Sequence, residues 1–245
     1  MLLCSPLPFS GVATAENRAY LAQLQQTAFE KRLWEHRQWQ VFLHYRPRLY
    51  SGGVKSQVDG PSFFLSPSGK FNPREELNAT LASFFAPFVK EAETEHPQCE
   101  FIARYHWLKH ELGFDSDRLP EYACRKFDDW LAEMNPQAAT LIFPTAYLNN
   151  PASMFGHTLL RIDSKTWDEQ TRLLDFTVNY AADTQEEEGL LFALKGLFGG
   201  YEGSFSVAPY YVQVKRYGDI ENRDIWEYHL TLSNEEVHRM LMHAW

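Results

Sequence analysis

The chain is short of cysteine, of basic clusters and of long apolar runs, and each shortage narrows what it can be. Only 3 of its 245 residues are cysteine, Cys4, Cys99 and Cys124, and none has the spacing of a zinc or redox motif. Lysine and arginine total 23 against 32 aspartates and glutamates, giving a net charge of -9. With no basic cluster anywhere, no nucleic-acid partner is expected. No apolar run reaches the roughly 20 residues that a membrane-spanning helix needs. Histidines 157, 229, 238 and 243 share no close ligand spacing with a carboxylate on one face. His106 and His110 stand four apart on a helix, but Trp107 follows His106 where a zinc protease has glutamate. Neither a metal nor a cofactor is expected. Internal repeats and low-complexity tracts are also missing.

What is present is a core-forming composition, 44% hydrophobic and 15% aromatic, enough for one large domain or two small ones. Helical spacing marks Glu16 to His36, with Tyr20, Leu21, Leu24, Ala28 and Leu33 on one face. Gln38 to Tyr45 either continues that helix or begins a strand, and the Gly-, Ser- and Pro-rich stretch Ser51 to Gly69 reads as loop. Asn72-Pro73 opens a second helix, Asn72 as cap and Pro73 where a missing N–H costs nothing. Further helices are expected at Phe101 to Leu112, Glu121 to Met134 and Leu190 to Phe198. Strands are expected at Thr140 to Phe143, Thr158 to Ile162, Leu173 to Tyr180, Gly203 to Tyr217 and Asp224 to Leu232. Helices first and strands later predict an α+β fold. A linker at Glu91 to Pro97 separates a mostly helical module, 16–95, from a second domain, 96–245.

Both ends have marks of their own. Met1 to Phe9 is apolar and leads to Ala13-Thr14-Ala15, a small-residue pattern. Residues 1–15 therefore read as a shortened export signal lacking its basic start. Without Cys4, Cys99 and Cys124 are left as an even pair, and in an exported protein one disulfide is expected. Near the other end, Ser233-Asn234-Glu235-Glu236 is a capping box. The helix it opens stops at Trp245 without a cap, so the chain reads as a piece of a longer protein.

The most informative run is Asn149 to Asp163. Asn149-Asn150-Pro151 starts a turn, Gly156 precedes His157, and an apolar strand follows. A histidine at the mouth of a strand is held by a rigid element, and the glycine lets another group approach closely. That geometry suits a general base. With Asp163 opposite Leu173 in an antiparallel hairpin, His157 faces Asn179, which then orients the imidazole. The candidate hydroxyl nucleophiles are Thr145, ending a strand after Pro144, and Ser153 in the turn. Turn serines and strand-end threonines often only bond local backbone. Arg161 either binds a phosphate or carboxylate or holds nearby carboxylates. Asp163, Asp175, Glu221, Asp224 and Glu227 form an ion network with Arg161 and Arg223.

Pro151-Ala152-Ser153-Met154-Phe155-Gly156-His157-Thr158-Leu159-Leu160-Arg161, Asn179-Tyr180-Ala181-Ala182, Lys195 to Tyr201 and Glu221-Asn222-Arg223-Asp224-Ile225-Trp226-Glu227-Tyr228 together resemble the Lnb N-terminal periplasmic domain family. The resemblance spans roughly Cys124 to Trp245, while about Gln38 to Phe88 resembles the short module that often precedes this domain. It implies an exported periplasmic protein of a Gram-negative envelope, membrane-associated through regions beyond this chain. It also implies a papain-type, NlpC-like fold and a lipid or lipoprotein substrate. The family's namesake is a lipoprotein N-acyltransferase. Its cysteine, upstream of the Phe-Gly-His motif, corresponds to Thr145 here, with His157 as the base. Threonine is a far poorer unassisted nucleophile than a thiol. Three readings follow: acyl transfer or hydrolysis, a non-catalytic envelope module, or a peptidoglycan-peptide hydrolase, which the missing cysteine disfavours.

Overall fold

The computed structural model describes residues 15–48, 52–58, 60–89, 95–147, 156–165, 168, 171–182 and 203–245. The stretch expected to be an export signal, Ala15 apart, lies outside them, as do Ser153 and the helix expected at Leu190 to Phe198. The chain divides into two compact units between Arg125 and Lys126. The reason is α5 (Ile102–Leu112), which buries Tyr105 and Leu108 in the core of the first unit.

In that unit α1 (Ala15–Glu30) buries Tyr20, Leu21, Leu24 and Ala28 at helical spacing. Arg32, at φ 51°, breaks the longer helix read from the sequence, and a 3-10 turn follows at Leu33–Glu35. His36 then caps α2 (Arg37–Phe42) by accepting from the Gln38 N–H at 3.2 Å. The predicted loop contains half of a small hairpin, β1 (Tyr45–Pro47) with β2 (Val54–Ser56). Asn72 caps α3 (Pro73–Ser83) as expected, its Oδ1 accepting from the Glu75 N–H at 3.1 Å.

Glu76 on α3 is fully buried and fully satisfied. Its carboxylate takes N–H bonds from Leu65 and Ser66 and a 2.8 Å ion pair from Arg104 of α5. Gly69 is needed beside it, since a Cβ there would overlap Glu76 Oε2. A buried carboxylate thus organises a loop that has little apolar surface of its own. Cys99, in α4 (Pro97–Glu100), forms the expected disulfide with Cys124.

The second unit is an antiparallel sheet in the order β6-β5-β4-β3-β7. Its strands are β3 (Pro136–Pro144), β4 (Leu159–Ser164), β5 (Phe176–Ala182), β6 (Gly203–Pro209) and β7 (Ile225–His229). Mixed helix and antiparallel sheet agrees with the predicted class. On one face Ala139, Ile162 and Val178 are buried with Met134 of α6 (Arg125–Met134) and with Val237 and Leu241 of the last helix (Asn234–Ala244). The capping box opens that helix, Ser233 Oγ accepting from the Glu236 N–H at 3.2 Å and Glu236 Oε2 accepting from the Ser233 N–H at 2.8 Å. Fully burying side chains of this kind stabilises by about 1.5–3 kcal/mol each.

The opposite face carries Thr140, Ile142, Leu159, Arg161, Asp163 and Thr177, by strand alternation. Tyr210 and Tyr217 pack on it beside Ile142 and Leu159. They come from α7 (Tyr210–Val214) and a π-helical turn at Lys215–Ile220. The sequence predicts one strand through Gly203 to Tyr217, but Pro209 cannot donate to a ladder. The chain turns there, the Tyr210 N–H donating to the Asp175 carbonyl at 2.7 Å. In chain order the last helix is α8.

Candidate active site

Gly156 brings the chain to the sheet at φ 86°, with the ideal Cβ position 2.8 Å from the Phe143 ring and 3.1 Å from the Pro144 carbonyl oxygen. Only a residue without a side chain fits that approach. His157 follows, half-buried, its N–H donating to the Pro144 carbonyl at 3.3 Å. Its ring Nε2 lies 2.5 Å from Asn179 Oδ1.

The contact arises from a register two residues away from the expected one. Leu159, not His157, stands opposite Asn179. The shift comes from a 3-10 turn at Arg172–Leu174 that uses the residues expected to begin β5. His157 therefore reaches Asn179 diagonally, a span within range of longer side chains. The Asn179 amide nitrogen points to Ser206 Oγ at 3.5 Å, which turns its oxygen to the histidine. An amide oxygen only accepts, so with this amide orientation the neutral imidazole has its hydrogen on Nε2 and its lone pair on Nδ1. Among the described residues no hydrogen bond is made at Nδ1.

Thr145 lies just past the end of β3, half-buried, and its N–H donates to the Asp224 carbonyl at 2.9 Å. It is the neighbour of Pro144, the residue that receives His157. Among the described residues no hydrogen bond joins its hydroxyl to the imidazole. Ser153 lies outside the described residues.

Two residues that the sequence does not place beside His157 complete the setting. Tyr217 places its ring 6.0 Å from the His157 ring, and Arg223 stands 4.8 Å from the other partner of that contact, the Tyr217 ring centre. Arg223 also donates to Glu221 Oε2 at 2.8 Å and to the Pro144 carbonyl at 2.9 Å. Asn222, at φ 50°, makes the turn that aims it. The quoted run Glu221 to Tyr228 contained this signal, but only the pairing of β7 with β3 reveals its target.

Arg161 takes the second of its two expected roles. Its side chain is fully buried, with Asp163 at 2.7 Å and Glu227 at 2.8 Å. Thr140 Oγ1 donates to Asp163 Oδ2 at 2.6 Å, and the Tyr210 hydroxyl donates to Glu227 at 2.9 Å. Burial alone would lower the Arg161 pKa, but Asp163 and Glu227 outweigh it and keep the guanidinium charged. Burial opposes ionisation of Glu227 too, yet Tyr210, Arg161 and Arg172 hold its carboxyl below the usual range. The guanidinium is spoken for by protein carboxylates. Asp175 goes the other way: burial pushes its carboxyl up.

Residues 126–245 match the family model of the Lnb N-terminal periplasmic domain, and residues 31–111 match a domain of unknown function, DUF7843. The second unit is an Lnb N-terminal periplasmic domain. Comparison with curated proteins and with solved structures finds no match.

The Lnb domain makes this a periplasmic envelope protein. Among the described residues no helix is long and apolar enough to cross a membrane, and no group of three or more His, Cys, Asp and Glu could hold a metal ion. In the Lnb domain His157 and Arg223 both bond the Pro144 carbonyl at the end of β3, Asn179 bonds the His157 ring, and Thr145 is the next residue along the chain. The Arg161 network occupies the same sheet face, where it is a structural charge cluster.

Proposed function

We propose that the Lnb domain carries out acyl transfer or hydrolysis on a lipid, lipoprotein or peptide in the periplasm, with His157 as general base. The observation that carries this reading is the His157–Asn179 bond. It orients an imidazole, fixes the hydrogen on Nε2 and leaves the Nδ1 lone pair available to take a proton. Asn179 is the orienting group.

Thr145 is the first choice of nucleophile and Ser153 the second. Nδ1 of His157 takes the hydroxyl proton as the oxygen attacks the acyl carbonyl carbon. The tetrahedral intermediate collapses, the carbon–leaving-group bond breaks, and the imidazolium returns the proton to the leaving group. An amine or water then releases the acyl group from the protein by the same steps. The order of cysteine-replacing hydroxyl, histidine and asparagine along the chain supports a papain-type relationship for the fold.

A second reading is a non-catalytic envelope module. It is favoured by the missing hydrogen bond between Thr145 and His157 among the described residues. A fluorophosphonate probe, mapped by mass spectrometry on the folded protein, separates the two. The expected result is labelling at Thr145 or Ser153, reduced by about 10²- to 10⁴-fold in a folded His157→Ala variant. No labelling of the full-length protein would favour the binding module.

A further inference from the structure

We propose that Arg223 is the positioning residue of the His157 site, acting through the Pro144 carbonyl; the inference rests on the catalytic reading above. That carbonyl is a junction. It ends β3 one residue before Thr145, and it accepts both the His157 N–H at 3.3 Å and Arg223 Nη2 at 2.9 Å. The base and the candidate nucleophile are therefore tied to one peptide group, and Arg223 fixes where that group points.

The same guanidinium controls the other side of the imidazole. It faces the Tyr217 ring at 4.8 Å, and Tyr217 in turn faces the His157 ring at 6.0 Å. The Arg223 N–H donates to the Tyr217 carbonyl at 2.9 Å, closing the arrangement on the π-helical turn. A π-helical turn is itself a feature found often at functional sites.

The arrangement needs an arginine. Its side chain is 1% exposed, and its charge is met by Glu221 at 2.8 Å. One planar fork reaches a carboxylate with Nη1 and a carbonyl with Nη2 while presenting a face to an aromatic ring. A lysine ammonium offers the charge without the fork or the face. Burying a charge to fasten two strands is costly where apolar residues would serve. The expense is understandable if the carbonyl's direction matters.

The test uses the whole chain, with ¹⁵N-labelled histidine and the fluorophosphonate probe. In the wild type the His157 Nε2–H, held by Asn179, is expected as a slowly exchanging ring N–H signal with contacts to the Tyr217 ring. In Arg223→Lys, shown by circular dichroism to be folded, that signal is expected to exchange into water and the contacts to fade. Probe labelling is expected to fall by at least about tenfold, as for a displaced catalytic group. Arg37→Gln, which removes an exposed guanidinium from the first unit, is expected to change neither. Should Arg223→Lys fail to fold, Glu221→Gln keeps the guanidinium, removes its charge partner and is expected to move both readouts the same way.

A folded Arg223→Lys or Glu221→Gln with an unchanged His157 ring signal would overturn the proposal and leave Arg223 as a fastening between β3 and β7. Absence of labelling in the wild type tells instead against catalysis, and the ring signal still decides the role of Arg223.

Discussion

His157 and Asn179 are joined across β4 and β5 without being partners in the ladder: Leu159 is the residue opposite Asn179, and the imidazole reaches it from two residues back. The bond is therefore made by side chains alone, and no backbone pairing preserves it if one is cut.

Asn179→Ala is thus expected to leave the sheet intact and free the His157 ring. The labelling rate should fall by about 10²-fold, the scale for a misplaced catalytic group, with little change in melting temperature. A variant that reacts as fast as the wild type would remove Asn179 from the site.

Gly156→Ala tests the approach to the sheet. A methyl group at φ 86° would sit 2.8 Å from the Phe143 ring, so both the backbone and the neighbour must give way. A loss of about 1–3 kcal/mol in stability is expected, with His157 displaced. Chemical denaturation measures the first and the ring N–H signal the second.

Asp175 and Glu227 give pH dependences of opposite sign. The folded Glu227 carboxyl is depressed, so its contribution to stability is present above the unfolded value, roughly 4.3, and is lost as pH falls through the folded value. The folded Asp175 carboxyl is raised, so it opposes folding once ionised. That penalty is absent below about 3.9 and complete above the folded value. Asp175 Oδ2 is buried with no partner among the described residues. Asp175→Asn is expected to raise the melting temperature at pH 7, and Glu227→Gln to lower it. Melting curves at pH 3 and pH 7 read both, and the two effects should shrink at the lower pH.

Glu76→Gln in the first unit leaves Arg104 buried without its carboxylate. Breaking such a pair costs about 3–5 kcal/mol, enough to unfold a marginal unit. An unchanged denaturation midpoint would show that Leu65 and Ser66 alone hold the loop.

Reduction of the Cys99–Cys124 bond, 25 residues apart in the chain, is expected to cost roughly 3 kcal/mol by chain entropy. A Cys99→Ala, Cys124→Ala double variant should match the reduced protein in urea unfolding.

What could be read from the chain was mostly local. The Asn72 cap and the Ser233–Glu236 box depend on residues three apart, and both form as written. The His157–Asn179 contact was legible because the hairpin is short, although its register was not: apolar Leu173 and Leu174 look like strand but form a turn. Tyr210 to Val214 have strand-like side chains, and Pro209 with the Asp175 carbonyl overrides them. Likewise, Arg223 was visible as a partner for carboxylates. Its bond to Pro144 joins residues 79 apart, and no local pattern encodes that. The packing of α5 is likewise decided by a core assembled from distant segments.

The placement of Arg161 also links strands that lie far apart in the chain. Its two carboxylates arrive from different distances: Asp163 lies two residues on, whereas Glu227 lies 66 residues on, in β7 on the far side of β3. Until β7 docks, one half of the fork is a charge facing an unfinished edge. Strand pairing at such separation is slow to form. The fork is therefore complete only when β7 has paired with β3, so one buried side chain ties the inner strands to the edge strand of the sheet.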